Sequence, residues 1–298
     1  MKFIIPYIIL LCLVSPANAL CESDPSRACI DQFKTGRINW TKGVITATGI
    51  ESPPANHAES PNARQTTLRT ASQTALSNLL ITAKHVRINS AVQVRHFESG
   101  NDKIMAKLEN MVRDARIVDR QYLSDGTVQV TAEMSMYGGF SQLLLPQNIK
   151  QIESVKPVAV SKPSRKSTVK TSHPTDGKQT GKTRRNPYTG LIIDARGLKA
   201  LPCLAPRIVD ETGTEVYGPG YASREYAVQN GMAGYSTEAE SAGKNPRVSG
   251  TPLTFKGLKT ENAGHCDIVI SNADASRLRS APEHLIFLKK CQIIIILD

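Results

Sequence analysis

The sequence predicts two mixed domains. The first is an α+β domain ordered β-α-β-α-β-β, with helices on one face of a largely antiparallel sheet; the second is a compact α/β domain. Three observations lead there. An alternating strand is followed by a long alanine-lined helix between residues 44 and 86, continuous apolar runs such as Ile293–Leu297 close the chain, and a basic, proline-spotted tract over 150–187 separates the two.

The opening residues, MKFIIPYIILLCLVSPANA, place Lys2 ahead of an apolar stretch from Phe3 to Val14, then Pro16 and the small residues Ala17 and Ala19. That order reads as a secretory signal over 1–19, cleaved after Ala19. The stretch is short of the roughly 20 apolar residues a membrane helix needs. The expected location is therefore outside the cytoplasm, in the periplasm or at the outer-membrane periphery. Export permits disulfides, and Cys21 with Cys29 is the candidate pair; Cys203, Cys266 and Cys291 make the count odd and leave at least one thiol over.

In the first domain, 20–149, Val44, Thr46 and Thr48 alternate with Ile45, Ala47 and Gly49, as a strand requires. Ser60 before Pro61 reads as a helix start. Leu68, Ala71, Ala75, Leu79, Ala83 and Val86 then recur three or four apart, an apolar stripe narrow enough for close packing on a sheet. A strand is expected near VRINSAVQV, and a short helix through Ile104, Leu108 and Met111. A hairpin is expected about Asp125-Gly126, with Val128, Val130, Ala132, Met134 and Met136 on its apolar face.

Between Glu153 and Arg185 nine lysines and arginines stand against two acidic residues, a surplus of seven within a formal net charge of +11. No aromatic residue lies between Phe140 and Tyr188. Such composition buries too little apolar surface to offset ordering, so 150–187 reads as a disordered linker. Lys162, Arg165, Lys166, Lys170, Lys182, Arg184 and Arg185 are its candidate contacts with anionic lipid headgroups or acidic cell-wall polymers. Nucleic acid is not expected as a partner, since no interleaved aromatics are present to stack bases.

The second domain, 188–298, reads as a strand at TGLIIDA, a hairpin turning at Glu211-Thr212-Gly213 and a helix from Ser223 to Gly231. A helix opened by a Thr237-to-Glu240 capping box follows. Strands near LTFKGLK and CDIVIS, helical turns through ADASRLRSAPEHLIFLKK and the strand CQIIIIL complete it. Runs without polar alternation mark strands covered on both faces.

The pattern GVITATGI, NAR, LRTASQTALSNLL, VRINSAVQV and DGTVQVTAEMSMYGG, over roughly residues 40–139, resembles the LPP-twenty family of bacterial envelope lipoproteins. It is also similar to the related N-terminal domain of the flagellar assembly protein T. Residues 188–298 resemble the C-terminal region of uncharacterised envelope proteins that carry this domain. The resemblance implies an envelope location, partners among envelope or surface-assembly proteins, and no reaction. Cys21 follows Leu20 rather than a small residue, so the chain is not expected to be lipid-anchored.

Motifs for chemistry are sparse. DGKQTGKT, at 176–183, has three residues between its glycines where a phosphate loop needs four. The six histidines form no spaced ligand pair, so no metal or cofactor is expected. A nucleophile elbow is absent as well. The remaining candidate is a cluster of Asp194 and Arg196 with Asn272 and Asp274, at strand ends where α/β folds bind ligands. The reading is a non-enzymatic assembly or interaction component of the envelope; the alternative is a small-ligand-binding or hydrolytic protein with its site in the C-terminal domain.

Overall fold

A computed structural model of the chain describes residues 28–53, 62–149 and 188–298. The N-terminal half is one antiparallel sheet with helices packed on it. Its strands are β1 (Ile30–Gln32), β2 (Gly36–Asn39), β3 (Val44–Glu51), β4 (Arg116–Tyr122) and β5 (Val128–Ser135), in the order β1-β2-β3-β5-β4. Helices α1 (Ala63–Lys84) and α2 (Asp102–Arg113) lie between β3 and β4, and α3 (Gly139–Leu144) follows β5.

The expected strand periodicity places Ile45 and Ala47 in the core beside Val130 and Ala132 of the hairpin. Ala71, Ala75, Leu79 and Ala83 of α1 cover them. Gly49 sets how near the helix can come, because a Cβ there would stand 2.2 Å from the carbonyl oxygen of Ala71 and 2.4 Å from the amide of Ala75. A side chain would push helix and strand apart.

The segment VRINSAVQV is not a strand. Only Arg87 and Gln93 form an isolated bridge, and Val94–Phe97 is a 3₁₀ turn. The reason lies at Asn89, whose side-chain oxygen accepts from the amides of Ala91 and Val92, both at 2.9 Å, and folds the chain back on itself. The observed order is therefore β-β-β-α-α-β-β-α, with β1 and β2 too short to stand out in the sequence. The Ser60-Pro61 start lies outside the described residues; Asn62 occupies the N-cap position of α1.

The C-terminal half contains two four-stranded sheets. Its elements are β6 (Leu191–Asp194), β7 (Arg207–Asp210), β8 (Glu215–Tyr217), α4 (Arg224–Asn230), β9 (Gly234–Ser236), α5 (Ala239–Lys244), β10 (Leu253–Lys256), β11 (Lys259–Glu261), β12 (Asp267–Ile270), α6 (Asn272–Arg279), α7 (Pro282–Lys289) and β13 (Ile293–Ile296). One sheet, β10-β6-β13-β9, is parallel throughout; the other, β11-β12-β7-β8, pairs β12 with β7 in parallel and is otherwise antiparallel. Ile294 and Ile296 pack with Ala242 and Val248 on one face, while Ile293 and Ile295 enter the main core on the other. Burial on both faces is why this strand shows no polar alternation.

The two halves are packed together. The amides of Leu204 and Ala205, just before β7, donate to the carbonyls of Arg87 and Ile88 at 3.0 and 2.8 Å. Arg87 donates from Nε to the Pro202 carbonyl at 2.8 Å and pairs through Nη2 with Asp31. Asp31 also accepts from the Trp40 indole at 2.8 Å. Trp40 sets its ring edge-to-face against Tyr235 of β9, with centroids 5.9 Å apart, and the Tyr235 hydroxyl donates to the Cys203 carbonyl at 2.7 Å. A second seam has Arg224 donating to the carbonyls of Pro146 and Gln142, both at 2.9 Å. Buried aromatic and arginine anchors with satisfied polar groups make such a contact specific.

Candidate functional site

Asp194 and Arg196 are brought together at the carboxyl end of β6. The guanidinium grips the carboxylate at 2.8 and 2.6 Å, and this hydrogen bonding holds the Asp194 carboxyl below its ordinary range. Asn272 and Asp274 sit elsewhere, at the end of β12 in the other sheet. The Ser271 hydroxyl accepts from the Asp274 amide at 3.0 Å and donates to its carboxylate at 2.7 Å, which caps α6. The Asn272 amide donates to Glu211 at 2.8 Å. Among the described residues no hydrogen bond or ion pair joins the first pair to the second, so each serves its own strand end.

The linker candidates Lys162, Arg165, Lys166, Lys170, Lys182, Arg184 and Arg185, and also Cys21, lie outside the described residues. Cys29 is buried beside Asp31 and Arg87, and burial pushes its thiol up to about 12. Cys203, Cys266 and Cys291 are buried free thiols. His85 follows α1 and stacks on Phe33 at 4.6 Å; His284 is buried and meets the Leu278 carbonyl at 2.9 Å. Among the described residues no group of three His, Cys, Asp or Glu is placed to hold a metal ion. No described helix is long and apolar enough to cross a membrane.

A cleft opens instead where the two halves meet. Its volume is about 620 Å³, and its walls include Asn89, Ser90 and Pro146 from one half and Arg207, Asn262 and Asp267 from the other. This is within the usual range for small-ligand pockets, roughly 300 to 1,000 Å³. The Asn89–Ala91 turn forms one rim. The opposite rim is the tight turn from β11 to β12, in which Asn262 and His265 take left-handed backbone conformations at φ 64° and 52°. Gly264 of that turn lies so near the first rim that a Cβ would stand 2.0 Å from the Ser90 carbonyl oxygen.

Arg207 opens β7 and Asp267 opens β12, and the two are register partners in a parallel pair. Partner residues on neighbouring parallel strands stand roughly 4.8 Å apart and direct their side chains to the same face. They do not pair with each other. Asp267 is 3% exposed, and its Oδ2 accepts from Asn262 at 2.7 Å while its Oδ1 has no partner. Arg207 comes no nearer to an acid than 3.7 Å, at Glu215, and its buried Nε makes no hydrogen bond. The Ser90 hydroxyl is buried and unpartnered as well. Four buried side-chain polar atoms lack partners among the described residues; three of them belong to residues lining this cleft. An orphaned buried polar group costs about 1–3 kcal/mol, so their gathering around one cleft makes it the candidate site.

The cleft lies at the amino ends of its two parallel strands, opposite to the carboxyl edge that the sequence reading favoured. The reason is the N-terminal half, which docks on the chain leading into β7 and covers that end. Arg207 and Asp267 are far apart in the sequence, and Ser90 carries no local motif. The signal available was a charged residue opening each of two apolar runs, RIVD and DIVI.

A family model described as the second domain of Treponema pallidum Tp0624 matches residues 190–298, from just before β6 to the end of the chain. The match includes Arg207, Asn262 and Asp267 but not the rim from the N-terminal half. No curated protein matches the chain.

Proposed function

We propose that the protein is an exported, non-enzymatic component of the cell envelope that works by binding, as an assembly or interaction part of surface structures. The resemblance to LPP-twenty and flagellar assembly domains, the leader-like opening residues and the basic tract support this reading. The observation that carries it is the packed contact between the two halves. Ile149 and Tyr188 both pack into one hydrophobic core, and the sequence between them carries the positive surplus of 153–185. Each Lys or Arg held near an anionic surface contributes up to about 1 kcal/mol, and salt screens the attraction within about 8 Å at physiological ionic strength.

The test is retention in an envelope fraction. Raising salt is expected to release the protein, and replacing Lys162, Arg165, Lys166, Lys170, Lys182, Arg184 and Arg185 by glutamine is expected to abolish retention at low salt. Retention indifferent to both would overturn the reading. A small-ligand-binding protein is the second reading, favoured by the cleft between the halves.

A further inference from the structure

We propose that the cleft between the halves binds a small zwitterion, with the adjoining ammonium and carboxylate of a free amino acid. The inference concerns a surface distinct from the basic tract and stands or falls apart from it.

The chemistry follows from what the cleft leaves unsatisfied. Asp267 offers a buried, charged acceptor at Oδ1, with Oδ2 already held by Asn262. An ammonium satisfies that oxygen and neutralises its charge, whereas a neutral donor does only the first. Arg207 offers a guanidinium on a side chain 40% exposed, whose Nε–H makes no hydrogen bond and stands 3.7 Å from its nearest acid, Glu215, which suits an incoming carboxylate. These groups arise from neighbouring strands at one register position, so one ligand seated in the cleft can meet both charges. Ser90 adds a hydroxyl able to donate or accept, and Ala205 and Pro219 give the cleft an apolar side suited to a small aliphatic group.

Why Arg207 and Asp267 do not neutralise each other is also visible. Asn262, fixed in a left-handed turn, keeps one carboxylate oxygen, and Glu215 draws the guanidinium toward β8. The arrangement holds two opposite charges apart, with the Asp267 carboxylate too enclosed for free hydration. A ligand carrying both charges completes it.

The experiment uses the full mature chain with alanine, N-acetylalanine and alaninamide as probes, read by calorimetric titration and by thermal unfolding. Alanine is expected to bind and raise Tm, while removal of either charge in the two derivatives weakens binding about tenfold or more, the loss of one charge-assisted contact. Asp267→Asn and Arg207→Gln are expected to reduce alanine binding by a similar factor. Equal responses to all three probes, or no binding of alanine, would overturn the proposal. Should either variant fail to fold, the comparison of blocked and free probes on the unaltered protein decides alone. A cleft that takes no zwitterion leaves the salt-release test of the basic tract untouched.

Discussion

Asp194 and Asp267 begin from the same chemistry and end differently. Each sits at one end of a buried parallel strand, yet Asp194 has both oxygens gripped by Arg196 near solvent, and Asp267 is nearly inaccessible with one oxygen unmatched. Arg196 is two residues from its partner in sequence and closes a local loop. Arg207 is level with Asp267 across a strand pair but is drawn aside. A satisfied surface pair finishes a strand end; an unsatisfied buried acid keeps a place for something else.

The largest expected effect comes from crowding the contact between the rims. Gly264→Ala would set a methyl against the Ser90 carbonyl, and the resulting backbone shift is expected to cost about 3 kcal/mol in urea unfolding while widening the cleft. A neutral result would mean that the turn moves freely and that the rims do not fix one another.

A smaller effect of the opposite sign is expected at the buried carboxylate. Asp267→Asn removes a charge that lacks full compensation, and the free protein is expected to gain about 1 kcal/mol even as ligand binding falls. The matching change, Asp194→Asn, is expected to lower stability slightly, by less than that gain, because it dissolves a satisfied pair. Urea titrations of both variants measure the contrast. If both changes shift stability in the same direction, the distinction between a finished strand end and a waiting one is lost.

Much of the framework was legible from the sequence. The alternation at 44–49, the alanine stripe of α1, the turn at Asp125-Gly126 and the unbroken isoleucines of β13 each encode burial through local spacing. Where a side chain turned the backbone, the pattern misled. Val86, Ile88, Val92 and Val94 read as strand, but the Asn89 oxygen bends the segment into a rim of the cleft. The candidate site was legible only in pieces. Asp194 and Asp274 have the shape of functional residues in sequence, and their partners prove to be Arg196 and Ser271, two and three residues away. Arg207, Asp267 and Ser90 acquire meaning only when the two halves dock, which depends on Trp40, Arg87 and Tyr235 meeting across long sequence distances.

That docking is the claim on which the cleft rests, and one measurement tests it most directly. Trypsin has many lysines and arginines to cut between residues 150 and 187, and the two products can then be passed through a gel-filtration column without denaturant. The shared core and the Arg87–Asp31–Trp40–Tyr235 contact require the fragments to elute together at the size of the uncut protein. Elution as two separate species immediately after cleavage would contradict the account.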